Sequence, residues 1–194
     1  MVRTLTLVLV SLTMAMPAAA QVFDTASARQ MLYPTRGHAI QTAKELSPQN
    51  RRIVTGIVPL MAKEMRQPVR YYTAIAWSPK DGMVHESLQA AMNHHSVEAA
   101  GAAAVAACNA KKSSGAPNCV VAARVVPKNW QPRPLMLSID ATAAFDRKYR
   151  RMRGSKAFAV SSATGAFGYG ASDASALAGC GSTGARDCRV VIRN

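Results

Sequence analysis

Six cations fall within ten residues: Arg147, Lys148, Arg150, Arg151, Arg153 and Lys156. Guanidinium forks and ammonium groups beside an aromatic ring, here Tyr149, suit phosphate, carboxylate or sulfate ligands. The same charges would also complement the negative end of a helix that stops before Gly154, so the run reads either as an anion-binding patch or as a solvated helix end. A second group is His85, Glu86, His94 and His95. Two imidazoles and a carboxylate are zinc-ligand types, yet the spacing is not H-E-x-x-H, and adjacent histidines in an extended backbone point to opposite sides. Surface or capping histidines are the preferred reading, with no metal and no cofactor assigned. Tyr71, Tyr72, Trp77, Trp130 and Phe158 would make a stacking platform for sugars or bases, but burial in a core accounts for them more simply. Gly168-Tyr169-Gly170 precedes a predicted helix, but Asp173 stands where a dinucleotide fingerprint needs glycine. There is no P-loop and no G-x-S-x-G elbow, and no nucleophile has a recognisable base, so no catalytic residue is assigned.

The elements that must position these residues belong to a chain of 194 residues, 49% hydrophobic and 18% charged, which is enough to bury a core. Lys and Arg total 24 against 10 Asp plus Glu, a net charge of +14, so the surface is basic. Residues 1–20 read as a signal peptide: Arg3, an apolar run from Leu5 to Met16, then Pro17-Ala18-Ala19-Ala20 as a small-residue cleavage site. Cleavage after Ala20 removes one cation and leaves 174 residues with a charge of +13. The apolar run is too short to span a bilayer. These features predict a periplasmic or secreted protein with no membrane span, and an exported protein meets little nucleic acid, so none is assigned as a partner.

The most informative pattern is self-similarity. Ala74-Ile75-Ala76-Trp77-Ser78 followed by Asp81-Gly82 aligns with Ala157-Phe158-Ala159-Val160-Ser161 followed by Thr164-Gly165, at a constant offset of 83. Each reads as a hairpin with one buried face, a tight turn, and a return strand over Met83–Ser87 or Ala166–Tyr169. An Ala-rich helix ending in Cys follows, Ser96 to Cys108 and Ser172 to Cys180, with the serines as N-caps and Glu98 and Asp173 in the first turn. Each half closes with a β-branched strand behind a second Cys, at Cys119 and Cys188. An even number of cysteines in an exported chain reads as disulfides, and the gaps of ten and seven residues are too long for zinc-ribbon pairs. Of the three formal pairings, the repeated order selects Cys108 with Cys119 and Cys180 with Cys188.

The order Ala-x-Ala-x-Ser, turn Gly, Ala-rich helix ending in Cys, and Cys-x-Val-Val strand resembles a family of small exported bacterial domains of unknown function, over Tyr71–Val126 and Lys156–Asn194. Whole-chain relatives of this layout look like alphaproteobacterial exported proteins, some labelled aminolevulinate synthase. These residues give that label no support, since 174 residues hold neither the two-domain fold nor a Schiff-base lysine in a phosphate-binding setting. The resemblance implies no activity.

Elsewhere, Asp24–Leu32 reads as a short capped helix and His38–Leu46 as an edge strand. Ser47-Pro48 opens a helix that Pro59 kinks or breaks, and Asp140–Met152 reads as a helix with Asp140 as N-cap. The prediction is one α+β domain of two similar hairpin-helix-strand units around a shared antiparallel sheet, each with one disulfide, plus a helical N-terminal segment. Its boundaries are a signal peptide at 1–20, the N-terminal segment at 21–70, a first unit at 71–127, a connector with the basic helix at 128–155, and a second unit at 156–194. Three functions compete. The first is a non-catalytic exported protein that binds a polyanionic or cell-envelope component through its basic surface. The second is an inhibitor or immunity-type protein that blocks a partner enzyme with the loop Lys111–Asn118. The third, least favoured, is a metal-dependent hydrolase using the His85–His95 region.

Overall fold

The structure, a computed structural model, describes residues 21–194; the predicted signal peptide, residues 1–20, lies outside the described residues. The chain runs through α1 (Thr25–Met31), β1 (His38–Thr42), α2 (Pro48–Glu64), β2 (Thr73–Trp77), β3 (Gln89–Ala91), α3 (Val97–Asn109) and β4 (Val120–Pro127). It continues with α4 (Ile139–Arg147), a 3-10 turn (Tyr149–Arg151), β5 (Ala157–Ser161), β6 (Phe167–Gly170), α5 (Asp173–Gly181) and β7 (Cys188–Arg193). The expected α+β class holds, but each half builds its own antiparallel sheet where one shared sheet was expected. The orders are β1-β4-β2-β3 and β6-β5-β7.

Strand alternation explains the layering, because successive side chains point to opposite faces. In β2, Ala74 and Ala76 face α3 and its Ala100 and Ala104, while Ile75 faces Val54 and Val58 of α2. In β5, Ala157 and Ala159 face Ala176 and Cys180 of α5, while Phe158 and Val160 face Phe145 and Tyr149. Each sheet therefore lies between two helical layers. The pairings agree at matching positions: Trp77 opposes Val120 as Val160 opposes Arg189, and Ile75 opposes Ala123 as Phe158 opposes Ile192. Both ladders slip at the same place, between Ile75 and Ala76 and between Phe158 and Ala159.

The disulfides are Cys108–Cys119 and Cys180–Cys188, with Cα atoms 6.0 and 6.1 Å apart, each tying the end of a helix to the strand that follows. Closing such short loops stabilises by roughly 2.5 kcal/mol each in the chain-entropy account. Serine caps open α2, α3, α4 and α5, each Oγ accepting the backbone N–H three residues on.

Local expectations shift in four places. Ser138, not Asp140, caps α4; Asp140 lies in the first turn, where its carboxylate takes Arg70 and Asn93. The helix expected to reach Met152 stops at Arg147 and tightens into the 3-10 turn. Pro59 does not break α2, since it and Thr55, whose carbonyl loses its donor, are both exposed to water. The first return strand forms over Gln89–Ala91 instead of Met83–Ser87. Met83 is drawn into the core beneath α2, and the His85 imidazole accepts the Ser87 N–H at 3.1 Å, curling the chain before it can pair.

The segment ahead of β1 ties the halves together. Phe23 bridges β7, donating to Val191 O and accepting from the Arg193 N–H, both at 2.9 Å. Ten residues on, the Tyr33 hydroxyl accepts from the Gln131 N–H at 2.7 Å, with the Arg133 guanidinium 3.7 Å above its ring. Among the described residues, no helix is long and apolar enough to cross a membrane.

Candidate functional site

The basic run is carried by the turn at the end of α4, and its base is rigid. Phe145 and Tyr149 stack with ring centroids 5.6 Å apart, both fully buried, and Phe158 meets each of them edge-on. The Tyr149 hydroxyl donates to Lys156 O, and Lys156 exchanges two backbone hydrogen bonds with Asn194. The turn is thereby fastened to the end of β7.

The six cations divide on this base. Arg147, Lys148, Arg151 and Arg153 are exposed, and none has a carboxylate partner among the described residues. Arg150 pairs with Asp146 one turn back, at 3.0 Å. Lys156 does not belong to the surface patch expected from the sequence. It is buried, with its ammonium donating to Met152 O at 3.1 Å and lying 5.2 Å from the Tyr149 ring, where it neutralises the carbonyl end of the 3-10 turn. The exposed set is four cations rather than six.

The histidines do not converge. His85 lies on the turn after β2 rather than on a strand, hydrogen-bonded to Ser87 and 3.9 Å from Asp81. His94 and His95 occupy the link between β3 and α3 and are buried at the junction of the halves. His95 Nδ1 accepts the Ser138 N–H at 3.1 Å and Nε2–H donates to Ala166 O at 2.9 Å, partners that fix the neutral tautomer. Burial pushes its imidazole down to about 4 and also lowers that of His94. Beside them, the backbone of Asn93 approaches Gly165 so closely that a Cβ there would lie 2.1 Å from Asn93 O. The halves thus meet where the second hairpin turn presses on Asn93–His95.

A groove of about 290 Å³ opens at this junction, lined by His95, Ser96, Ser161, Ser162 and Arg189 beside Gln21 and Phe23. It gathers serine, histidine and, nearby, Asp187, but among the described residues no serine hydroxyl is bonded to the His95 imidazole. Ser161 Oγ donates to Asp187 at 2.6 Å and accepts the Thr164 N–H, and both His95 nitrogens are engaged. Sequence reasoning did not find this groove. Its one local signal was Arg189, standing in β7 where β4 has Val120.

Carboxylates also join each hairpin turn to its disulfide loop. Asp81, on the first turn, accepts the Ser113 N–H, a bond that holds its carboxyl down to about 2. Asp187, on the second loop, accepts the Ser161 hydroxyl and the Ala163 N–H and is lowered by them. Of the aromatic candidates, Tyr71, Tyr72 and Phe158 are fully buried, whereas Trp77 and Trp130 are half-buried with indole N–H groups that have no partner among the described residues. Compared with protein-family models, curated proteins and solved structures, the chain matches none.

Proposed function

We propose that this is an exported, non-catalytic protein, periplasmic or secreted after cleavage behind Ala20. In this reading it consists of two copies of one hairpin-helix-strand unit and binds a polyanionic component of the cell envelope through the turn at the end of α4. The observation that carries the reading is the set Arg147, Lys148, Arg151 and Arg153: exposed, without carboxylate partners among the described residues, and displayed on a buried aromatic base. Cations held on a fixed backbone lose less freedom on binding than cations on a mobile tail. The matched registers and slips of the two sheets support the repeat.

The test is the salt dependence of binding to anionic lipid vesicles, peptidoglycan, heparin and DNA. It compares the protein with a variant in which those four residues are replaced by Gln. Binding to one member that persists at about 0.15 M salt and weakens at least about tenfold in the variant is expected. Weak binding to every member that fades with salt equally in both forms would overturn the reading.

One observation favours the inhibitor reading as a second. The loop Lys111–Asn118 is pinned at both ends and in the middle, by the Cys108–Cys119 bridge, by Ser113 on Asp81, and by Lys112 Nζ on Ala116 O at 2.7 Å. Recovery of a partner enzyme from envelope extract, abolished by K111A/K112A, would move the assignment to that class.

A further inference from the structure

The groove at the junction has two chemically different walls. One has at its floor Phe23, Leu135 and Val191, buried members of the cluster that holds Phe145 and Phe158, with the polar side chains of Gln21, Ser96 and Ser161 around them. The other carries Arg189, and among the described residues that line the groove Arg189 is the one charged side chain. Strand periodicity places it there, since Arg189 and Val191 lie two apart on β7 and share a face.

Among the described residues Arg189 has no carboxylate within salt-bridge distance. The carboxylate of Asp187, its close neighbour in sequence, accepts from the Ser161 hydroxyl and the Ala163 N–H. Among the described residues the guanidinium is held by one bond, from Nε to Ser162 Oγ at 3.1 Å, and its terminal nitrogens have no partner. A carboxylate presents two oxygens in the plane that such a fork matches. His95 does not compete for the anion, because both its nitrogens are committed to backbone groups.

We propose that this groove binds a small organic acid, with its carboxylate on Arg189 and its apolar body against Phe23, Leu135 and Val191. The volume, about 290 Å³, lies at the lower end of the range of small-molecule clefts and limits the ligand to one short chain or ring. The site is separate from the exposed turn at the end of α4. It offers one cation above apolar side chains, whereas that turn displays four exposed cations.

Calorimetric titration of the full disulfide-bonded protein with octanoate tests the proposal, with octanol as the uncharged comparator. Octanoate is expected to bind with one-to-one stoichiometry and octanol at least about tenfold more weakly. Arg189→Gln should bring octanoate down to the level of octanol, and Arg189→Lys, which keeps the charge but loses the fork, should fall between. Circular dichroism verifies that each variant is folded. The variant neutralised at Arg147, Lys148, Arg151 and Arg153 should bind octanoate as the parent does, which separates this site from the proposed polyanion surface. Absence of octanoate binding, equal binding of octanol, or full affinity in Arg189→Gln would each overturn the proposal.

Discussion

The two Ala-rich helices lie on their sheets by different means. On the C-terminal half, α5 touches β6 backbone to backbone. A Cβ on Gly168 would fall 2.2 Å from Cys180 N and 2.3 Å from Ala176 O, and one on Gly179 would lie 3.3 Å from Gly168 Cα. On the N-terminal half, α3 rides on methyl groups. Ala100 and Ala104 meet Ala74 and Ala76, and Gly101 has only Val121 Cγ2 within reach, at 3.5 Å. The same topology is thus built once on methyl spacers and once with a backbone contact at β6 beside the methyl groups that α5 meets on β5. The smaller half, with three strands against four and a helix of nine residues against thirteen, uses the closer contact. A short helix has fewer side chains to bury, and dispersion rises steeply as the gap closes.

The largest effect should come from filling that contact. Gly168→Ala would drive its methyl into backbone that cannot swing aside, costing roughly 3 kcal/mol or more. Gly101→Ala, on the buried side of α3, meets a movable methyl at ordinary distance and should be stabilising by about 0.5 kcal/mol through helix propensity. Chemical denaturation of the oxidised variants measures both. Equal losses at the two positions would show that α3 and α5 pack alike after all.

Much of this plan is legible in the sequence because it rests on local signals. Ser96 and Ser172 announce their helices, alternating Ala in β2 and β5 announces the helix-facing side, and the neighbours of the cysteines select the observed bridges. What is not legible depends on distant partners. Ser138 and Asp140 are equally good caps, and only the reach of Asp140 to Arg70 and Asn93 decides between them. Lys156 reads as a surface cation until Asn194 and the 3-10 turn enclose it. Two sheets instead of one, and the groove with Arg189, follow from the way Asn93–His95 receives the second hairpin turn. That link is longer than its counterpart, with four residues between β3 and the cap Ser96 and one between β6 and Ser172.

The link gives the next largest effect. His95 is neutral in the fold, and its Nδ1 can accept the Ser138 N–H only while it stays so. Its pKa in the fold, about 4, lies below the ordinary 6.5, so between these values the unfolded chain binds a proton that the fold refuses. Stability is therefore full above about pH 6.5 and declines as pH falls toward 4, by up to roughly 3 kcal/mol, with His94 shifted in the same direction. His95→Gln, whose amide can serve both partners, should flatten most of that slope. An unchanged slope between pH 6.5 and 4 would remove His95 as its source.

The smallest effects should come from the carboxylates, which do one task from opposite sides: Asp81 reaches from turn to loop, Asp187 from loop to turn. Both are held below the ordinary aspartate range, so their contribution is present above about pH 4 and is lost as pH falls through the folded values, about 2 for Asp81. That window lies below the one assigned to His95, so acid titration separates the two mechanisms. Hydrogen exchange separates the two aspartates. Asp81→Ala should speed exchange of the Ser113 amide several-fold and leave that of Ala163 unchanged, and Asp187→Ala should do the reverse, because each amide has its own carboxylate. The second variant should have the wider reach. Ala163 and Ser161 belong to the hairpin turn that presses on Asn93–His95, so loosening them should also expose the Ala166 end of the His95 bridge. Asp81 touches no residue of the C-terminal half through its hydrogen bonds, and its removal should stay local to the first turn and loop. If instead Asp81→Ala raised exchange at the junction and Asp187→Ala did not, the halves would be coupled through the Cys108–Cys119 loop rather than through the second hairpin.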